Sequence, residues 1–233
     1  MSESIRVRVV YLGGSRGETG VSEEDFECAS DTTVSQIAQR VSDKYPALAP
    51  RLATVRWALN HEFASLTDPV SDGDEVALIP PVAGGSPDQK PSSARGRVSI
   101  QSDPLDITSV VKRVEGSHIG AIVTFIGTVR NHARGKSVIS LDYEAYEPMA
   151  SRVLEQIVVK LESEIEGVTL AIAHRTGLLE VGEQSVAIAA ASPHRDEAYK
   201  ACRAALEEIK KDLPIWKRET TADGDEWVGW GGG

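Results

Sequence analysis

The chain has 233 residues, 41% of them hydrophobic, and a formal net charge of −10. That length suits two small domains, the apolar content supports ordinary cores, and the acidic balance makes a poor general binder of nucleic acid or anionic membrane. Two distant cysteines, Cys28 and Cys202, form neither a disulfide framework nor a zinc spacing, so a reducing, cytoplasmic setting is expected.

The first segment opens on IRVRVVYL, where arginines interrupt the apolar run, so it is not read as a signal peptide. Ile5, Val7 and Val9 alternate with Arg6, Arg8 and Val10, the period of a strand with one buried face. Val34, Ile37, Ala38 and Val41 follow helical spacing, and Thr33 with Gln36 is placed as a capping box. VRWALNHEFAS predicts two short strands about a turn at Asn60-His61, and DGDEVALIPPV a turn and a closing strand. Together these describe a small β-grasp-like α+β domain over residues 1–85, ending in Gly84-Gly85.

SPDQKPSSARGR, residues 86–97, is rich in serine and proline and reads as a flexible linker. A second α+β domain is expected over 98–233. It should hold a short strand near Val98 and Ile100, a helix from about Ile107 to Val114, and strands in GAIVTFIGTV and SVISLDYEAY. Leu154, Ile157, Val158, Leu161 and Ile165 mark the apolar face of a further helix. VTLAIAHRTG and SVAIAAAS read as strands, and a last long helix runs from about Pro193 to Lys211. No segment is apolar for long enough to span a bilayer.

Candidate chemistry gathers in the second domain. In SPHR, Ser192 suits an N-cap and Pro193 a first helical residue, leaving His194 and Arg195 in the first turn. Basic side chains oppose the helix dipole there, and a bound anion such as phosphate would explain them. An ordinary solvated helix face with interleaved Asp196, Glu197, Glu207 and Glu208 is the competing explanation. Lys210 lies near the other end of that helix, and Lys217 follows Trp216; a lysine beside an aromatic in an enclosed site can serve as acid, base or nucleophile. Lys200 and Lys211 read as solvent-facing. Arg130 ends an apolar strand where ligand contacts are common. His132, Arg134 and Lys136 follow it and read equally well as loop residues. His174 and Arg175 end a strand and read as structural. His61 and His118 have no partner pattern, and the histidine spacings predict no metal site.

With PPVAGG, TFIGTVRNH, AHRTG, SPHR and IKKDLPIWKRETTADGDEWV in view, the chain resembles a known pair of proteins. Residues 4–85 resemble the small, sulfur-carrying subunit of molybdopterin synthase, and residues 98–228 its large, catalytic subunit, here fused in one chain. The resemblance implies a ubiquitin-like first domain and an α/β-hammerhead-type second domain. It implies that Gly85 becomes a thiocarboxylate, through a separate adenylating enzyme, and passes sulfur to cyclic pyranopterin monophosphate to form the dithiolene of molybdopterin. No permanently bound cofactor is implied. Carried over position by position, the catalytic lysines fall on Lys210 and Lys217, and the substrate-binding residues on Arg130, His194 and Arg195.

The carboxyl of Gly85 is held in the peptide bond to Ser86, so cleavage between them by a protease is expected. The resemblance also implies carrier docking on the catalytic domain and a homodimer through the second domain. A continuous last helix would separate Arg195 from Lys210 by about 22 Å along its axis, so each pocket would take its lysines from one chain and its His-Arg pair from the other. The family's large subunit usually continues past the Trp-Val pair, whereas GWGGG follows it here. An uncut fusion whose first domain is a docking module, with separate carriers supplying sulfur, and a ubiquitin-like protein modifier are the alternatives.

Overall fold

The computed structural model describes residues 4–81, 94–133 and 135–228, which fall into two compact units divided after Pro81. The first unit contains, in chain order, β1 (Ser4–Tyr11), α1 (Gly14–Thr19), β2 (Glu23–Ala29), α2 (Val34–Lys44), β3 (Arg56–Leu59), β4 (Glu62–Ala64) and β5 (Glu75–Ile79). Its sheet has the order β2-β1-β5-β3-β4, with β1 and β5 parallel and the other pairs antiparallel. The alternation in β1 buries Ile5, Val7 and Val9, as expected. On α2, Val34, Ile37 and Val41 join them in one core with Phe26, Trp57, Val76 and Leu78. Gln36 accepts the Thr33 N–H at 2.8 Å, the bond a capping box requires. Asn60 and His61 both take positive φ (50° and 67°), the conformation of a tight hairpin turn between β3 and β4.

Pro80 and Pro81 follow β5. Most of the expected linker, together with Gly84, Gly85 and Ser86, lies outside the described residues. Its last four residues, 94–97, belong to the second unit: Ala94 is buried, and the Arg97 guanidinium pairs with Glu162 and donates to the Leu170 carbonyl at 3.1 Å.

The second unit contains β6 (Val98–Gln101), α3 (Ile107–Lys112), β7 (Ala121–Thr128), β8 (His132–Ala133), β9 (Lys136–Ala145), α4 (Glu147–Glu164), β10 (Thr169–Arg175), β11 (Gly177–Glu180), β12 (Gln184–Ser192), α5 (Arg195–Asp212), β13 (Ile215–Thr221) and β14 (Gly224–Trp227). Two sheets result. One has the order β6-β10-β12-β7; the other has the order β11-β9-β13-β14, with β8 beside β9. Successive strand residues face opposite ways. The alanines 171, 173, 187, 189 and 191 therefore lie on one face of the first sheet, where their small side chains admit Val110 and Val114 of α3. α4 packs on β6 and β10, and α5 on β12 and β7.

Candidate functional site

The site is organised by β7, β12 and α5. β7 and β12 are antiparallel, with Ser192 opposite Ala121 and Gln184 opposite Thr128. β12 passes into α5 through Pro193 and His194. The long helix leaves the Ser192 end and packs back across β12 and β7, so its last turn lies toward the Thr128 end. This bar has two ends, and the expected site residues divide between them.

His194 and Arg195 occupy the Ser192 end, both exposed. The local structure corrects the expected cap. Ser192 is the last residue of β12, 1% exposed, and its carbonyl accepts the Gly120 N–H at 3.1 Å. Pairing with β7 has extended the strand through the serine, so the N-cap is His194, with extended φ −125° and ψ 152°, and Pro193 precedes the helix. The approach is close: a Cβ at position 120 would stand 2.3 Å from the Pro193 carbonyl oxygen, so only glycine fits there. The first turn of α5 also holds Asp196 and Glu197, and the Arg195 guanidinium lies 3.8 Å from Asp196. These acids complement the helix dipole that His194 and Arg195 oppose.

Arg130, Lys210 and Lys217 occupy the other end. Arg130 is exposed just beyond β7; its neighbour Val129 donates to the Glu183 carbonyl (3.0 Å) and accepts from Gly182 (2.8 Å), which ties the segment to the turn before β12. Lys210 is exposed in the last turn of α5, 3.8 Å from Glu207. The chain then turns through Leu213 and Pro214, whose carbonyl accepts the Tyr146 N–H, into β13. Lys217 stands opposite Tyr143 on β9, and opposite residues in an antiparallel pair share a face.

Two residues near Lys217 carry no signal in the sequence. Glu219, two positions on and therefore on the same face, is 6% exposed, and its carboxylate lies 3.8 Å from the Lys217 ammonium. Burial raises the Tyr143 pKa; hydrogen bonding with Ser185 acts against this and the Glu219 charge adds to it. Ser185 also donates to the Gly127 carbonyl (3.2 Å), which fastens this part of the second sheet to the end of β7. Register alone could have linked Tyr143 to Lys217, and register is not visible in an isolated strand.

The Trp216 expectation is corrected as well. Trp216 alternates with Lys217 and so lies on the opposite face of β13, 5% exposed and paired with Glu144. The aromatic that shares a face with Lys217 is Tyr143. His174 is buried, with Nδ1 2.9 Å from the Arg175 carbonyl and its ring edge-on to Tyr143 at 5.3 Å; burial lowers its pKa to about 4. That is a structural histidine, as expected. His132 and Lys136 flank the hairpin after Arg130 and are exposed, while Arg134 lies outside the described residues. Among the described residues there is no acid, histidine or cysteine cluster that would hold a metal, and no helix long and apolar enough to cross a membrane.

The separation of the two ends follows from element geometry. From Ala121 to Arg130 the chain advances about 30 Å if extended. From Arg195 to Lys210 the axial distance along the uninterrupted helix is about 22 Å. The basic residues of one chain thus form two separate groups.

The fold and this layout define a β-grasp domain joined to a two-sheet α+β domain with basic clusters at both ends of a strand-helix bar. Residues 9–85 match the ThiS family model and residues 100–212 the MoaE protein model. The chain is 48% identical over 133 residues to the molybdopterin synthase catalytic subunit of Bacillus subtilis, covering 57% of this chain and 85% of that protein. It is 45% identical to catalytic subunit 1 of Mycobacterium tuberculosis, over 56% of this chain and 88% of that protein. Among solved structures, molybdopterin synthase from Staphylococcus aureus superimposes with a TM-score of 0.55 at 38% identity, covering 56% of this chain and 95% of that one. The chain belongs to the molybdopterin synthase catalytic subunit family, with a ThiS-type β-grasp domain preceding the MoaE domain.

Proposed function

We propose that the chain is a molybdopterin synthase that carries its own sulfur donor domain and acts in molybdenum cofactor biosynthesis. The observation that carries this reading is the pairing of the two families in one chain, with the ThiS match ending at Gly85 itself. Cleavage before Ser86 frees the Gly85 carboxylate, and a separate adenylating enzyme converts it to a thiocarboxylate in the reducing cytoplasm. The carrier domain then docks on the catalytic domain.

The thiocarboxylate sulfur adds to an oxygen-bearing carbon of cyclic pyranopterin monophosphate, the C–O bond there breaks with the oxygen leaving protonated as water or retained on the phosphate, and water then hydrolyses the acyl–sulfur bond, leaving sulfur on the pterin and returning Gly85 as a carboxylate. Two such transfers supply the two dithiolene sulfurs. Lys210 and Lys217 move protons during addition and release. Arg130, His194 and Arg195 hold the anionic substrate by charge-assisted hydrogen bonds. A homodimer of the second unit supplies each pocket with Lys210, Lys217 and Arg130 from one chain and His194 and Arg195 from the other. The estimated 22 and 30 Å separations within one chain support this division.

The experiment is mass spectrometry of the protein from its native cell. The reading expects a fragment ending at Gly85, part of it carrying one sulfur in place of one oxygen. Full activity from a permanently uncut chain with no other carrier present would overturn it. Only uncut chain in the native cell, active when separate carriers are supplied, would instead favour the uncut fusion with a docking first domain.

A further inference from the structure

Lys217 and Arg130 belong to different sheets, one on β13 and the other just beyond β7, and among the described residues no strand pairs across the two sheets. Their spacing therefore depends on side chains that reach from one sheet to the other. Tyr143 is such a side chain. On β9 it stands directly opposite Lys217, close enough for its ring to run beside the lysine stem. The same ring packs in the apolar cluster of Val129, Val138, Leu141 and Leu179, and Val129 is the residue before Arg130. It also meets the His174 ring of β10 edge-on at 5.3 Å, and its hydroxyl hydrogen-bonds with Ser185 of β12.

The Ser185 anchor is itself a built feature. Gln184 pairs with Thr128 and Val186 with Gly127, so Ser185 falls outside the register and the ladder bulges there. A bulge turns a side chain out of the regular alternation, and bulges gather beside active sites. Ser185 is 5% exposed and gives its hydrogen to the Gly127 carbonyl at 3.2 Å. A Cβ at position 127 would stand 2.7 Å from Val186 Cγ1 and 3.5 Å from Ser185 Oγ, so this closeness depends on glycine. Burial raises the Tyr143 pKa, which leaves its hydroxyl a neutral hydrogen-bonding group at neutral pH and not a base.

We propose that Tyr143 is a positioning residue for Lys217: anchored on the Ser185 bulge, it fixes where β13 holds the lysine relative to Arg130 at the end of β7. This rests on the sulfur-transfer reading for the task that Lys217 performs. Glu219 holds the ammonium from one side, 3.8 Å away, while the Tyr143 ring limits the stem from β9. With its hydroxyl tied to Ser185 the ring is kept from tilting away, and Lys217 keeps one reach toward a substrate held by Arg130. Misplacement of a reacting group by about 1 Å can cost about a hundredfold in rate, so a tie of one hydrogen bond is enough to matter. A buried tyrosine that served packing alone would act on the rate without regard to Lys217, so the two roles have different consequences.

The test begins on the full chain without substrate. Lysines are labelled with trace acetic anhydride, and Lys217 is read against the exposed Lys200 by mass spectrometry. Tyr143→Phe keeps the ring and loses the hydroxyl; it should raise the Lys217-to-Lys200 labelling ratio about fivefold, and Ser185→Ala should do the same from the other side of the bond. Single-turnover sulfur transfer, on protein from its native cell, should fall about tenfold in each variant. The double variant should fall no further, because both changes remove one bond. In a Lys217→Ala background, Tyr143→Phe should slow the residual rate by less than about twofold. A loss in that background as large as in wild type would show that Tyr143 supports packing and not the lysine, and would overturn the proposal. So would an unchanged labelling ratio, or single losses that multiply in the double variant. A wild-type chain that transfers no sulfur would refute the sulfur-transfer reading alone, and the labelling ratio would then decide the tie by itself.

Discussion

Replacing His174 should remove a pH dependence from the second unit. The ring is 6% exposed, packs edge-on against Tyr143 and is held through Nδ1 by the Arg175 carbonyl. Burial lowers its pKa from 6.5 to about 4. Between those values the unfolded chain binds a proton that the folded chain refuses, so stability rises with pH through this window and is fully present above 6.5. The difference amounts to about 3 kcal/mol. His174→Phe keeps a ring against Tyr143 and does not titrate, but it loses the bond to Arg175, at a cost of about 1 kcal/mol. Wild type should therefore be the more stable at pH 7 and the less stable at pH 4. Hydrogen exchange under urea, read in peptides covering β10 and β12, reports the second unit without the first. Exposed histidines and the carboxylates titrate alike in both proteins and cancel in the comparison. Stability curves that run parallel from pH 4 to 6.5 would show that burial does not hold His174 neutral.

Lys210→Ala and Lys217→Ala should each reduce sulfur transfer at least a hundredfold while leaving thermal unfolding unchanged, and Lys200→Ala should do little; equal behaviour of all three would remove the lysine assignment. Mixing an inactive Lys210→Ala chain with an inactive Arg195→Ala chain should restore activity, since one pocket of each heterodimer keeps all its groups; proven heterodimers without recovery would place both groups in one chain's pocket. Arg97→Ala should destabilise the second unit by about 3 kcal/mol, because Glu162 would keep a mostly buried charge without its guanidinium partner; a loss under 1 kcal/mol by denaturant titration would show that water replaces the pair.

The strands and helices with a periodic apolar face were legible in the sequence, from β1 and α2 to α4, β12 and α5. Others were not, and the reason is pairing. β2, EEDFECA, buries Phe26 and shows acids elsewhere; its place beside β1 comes from hydrogen bonds and cross-strand charges, not from an apolar period. β13, IWKRETT, has almost no apolar alternation and is held by β9 on one side and β14 on the other. At Ser192 a good local N-cap signal lost to ladder pairing with Ala121, which moved the cap to His194.

Motif resemblance names Arg130, His194, Arg195, Lys210 and Lys217 as candidates, and helix length alone already set Arg195 and Lys210 about 22 Å apart; that Arg130 and Lys217 fall at the Lys210 end was not legible. That arrangement follows from sheet order and from the direction in which α5 returns. Glu219 and Tyr143 stayed hidden because their relation to Lys217 depends on which strands are neighbours.

The most direct measurement is transfer itself. The first domain, ending at Gly85 and loaded as the thiocarboxylate, is mixed with the second domain and cyclic pyranopterin monophosphate, and the pterin product is analysed by mass spectrometry together with the carrier. The account predicts a pterin that has gained two sulfurs, with two carriers returned as carboxylates for each product. Unchanged pterin alongside intact thiocarboxylate, with both domains folded, would contradict it.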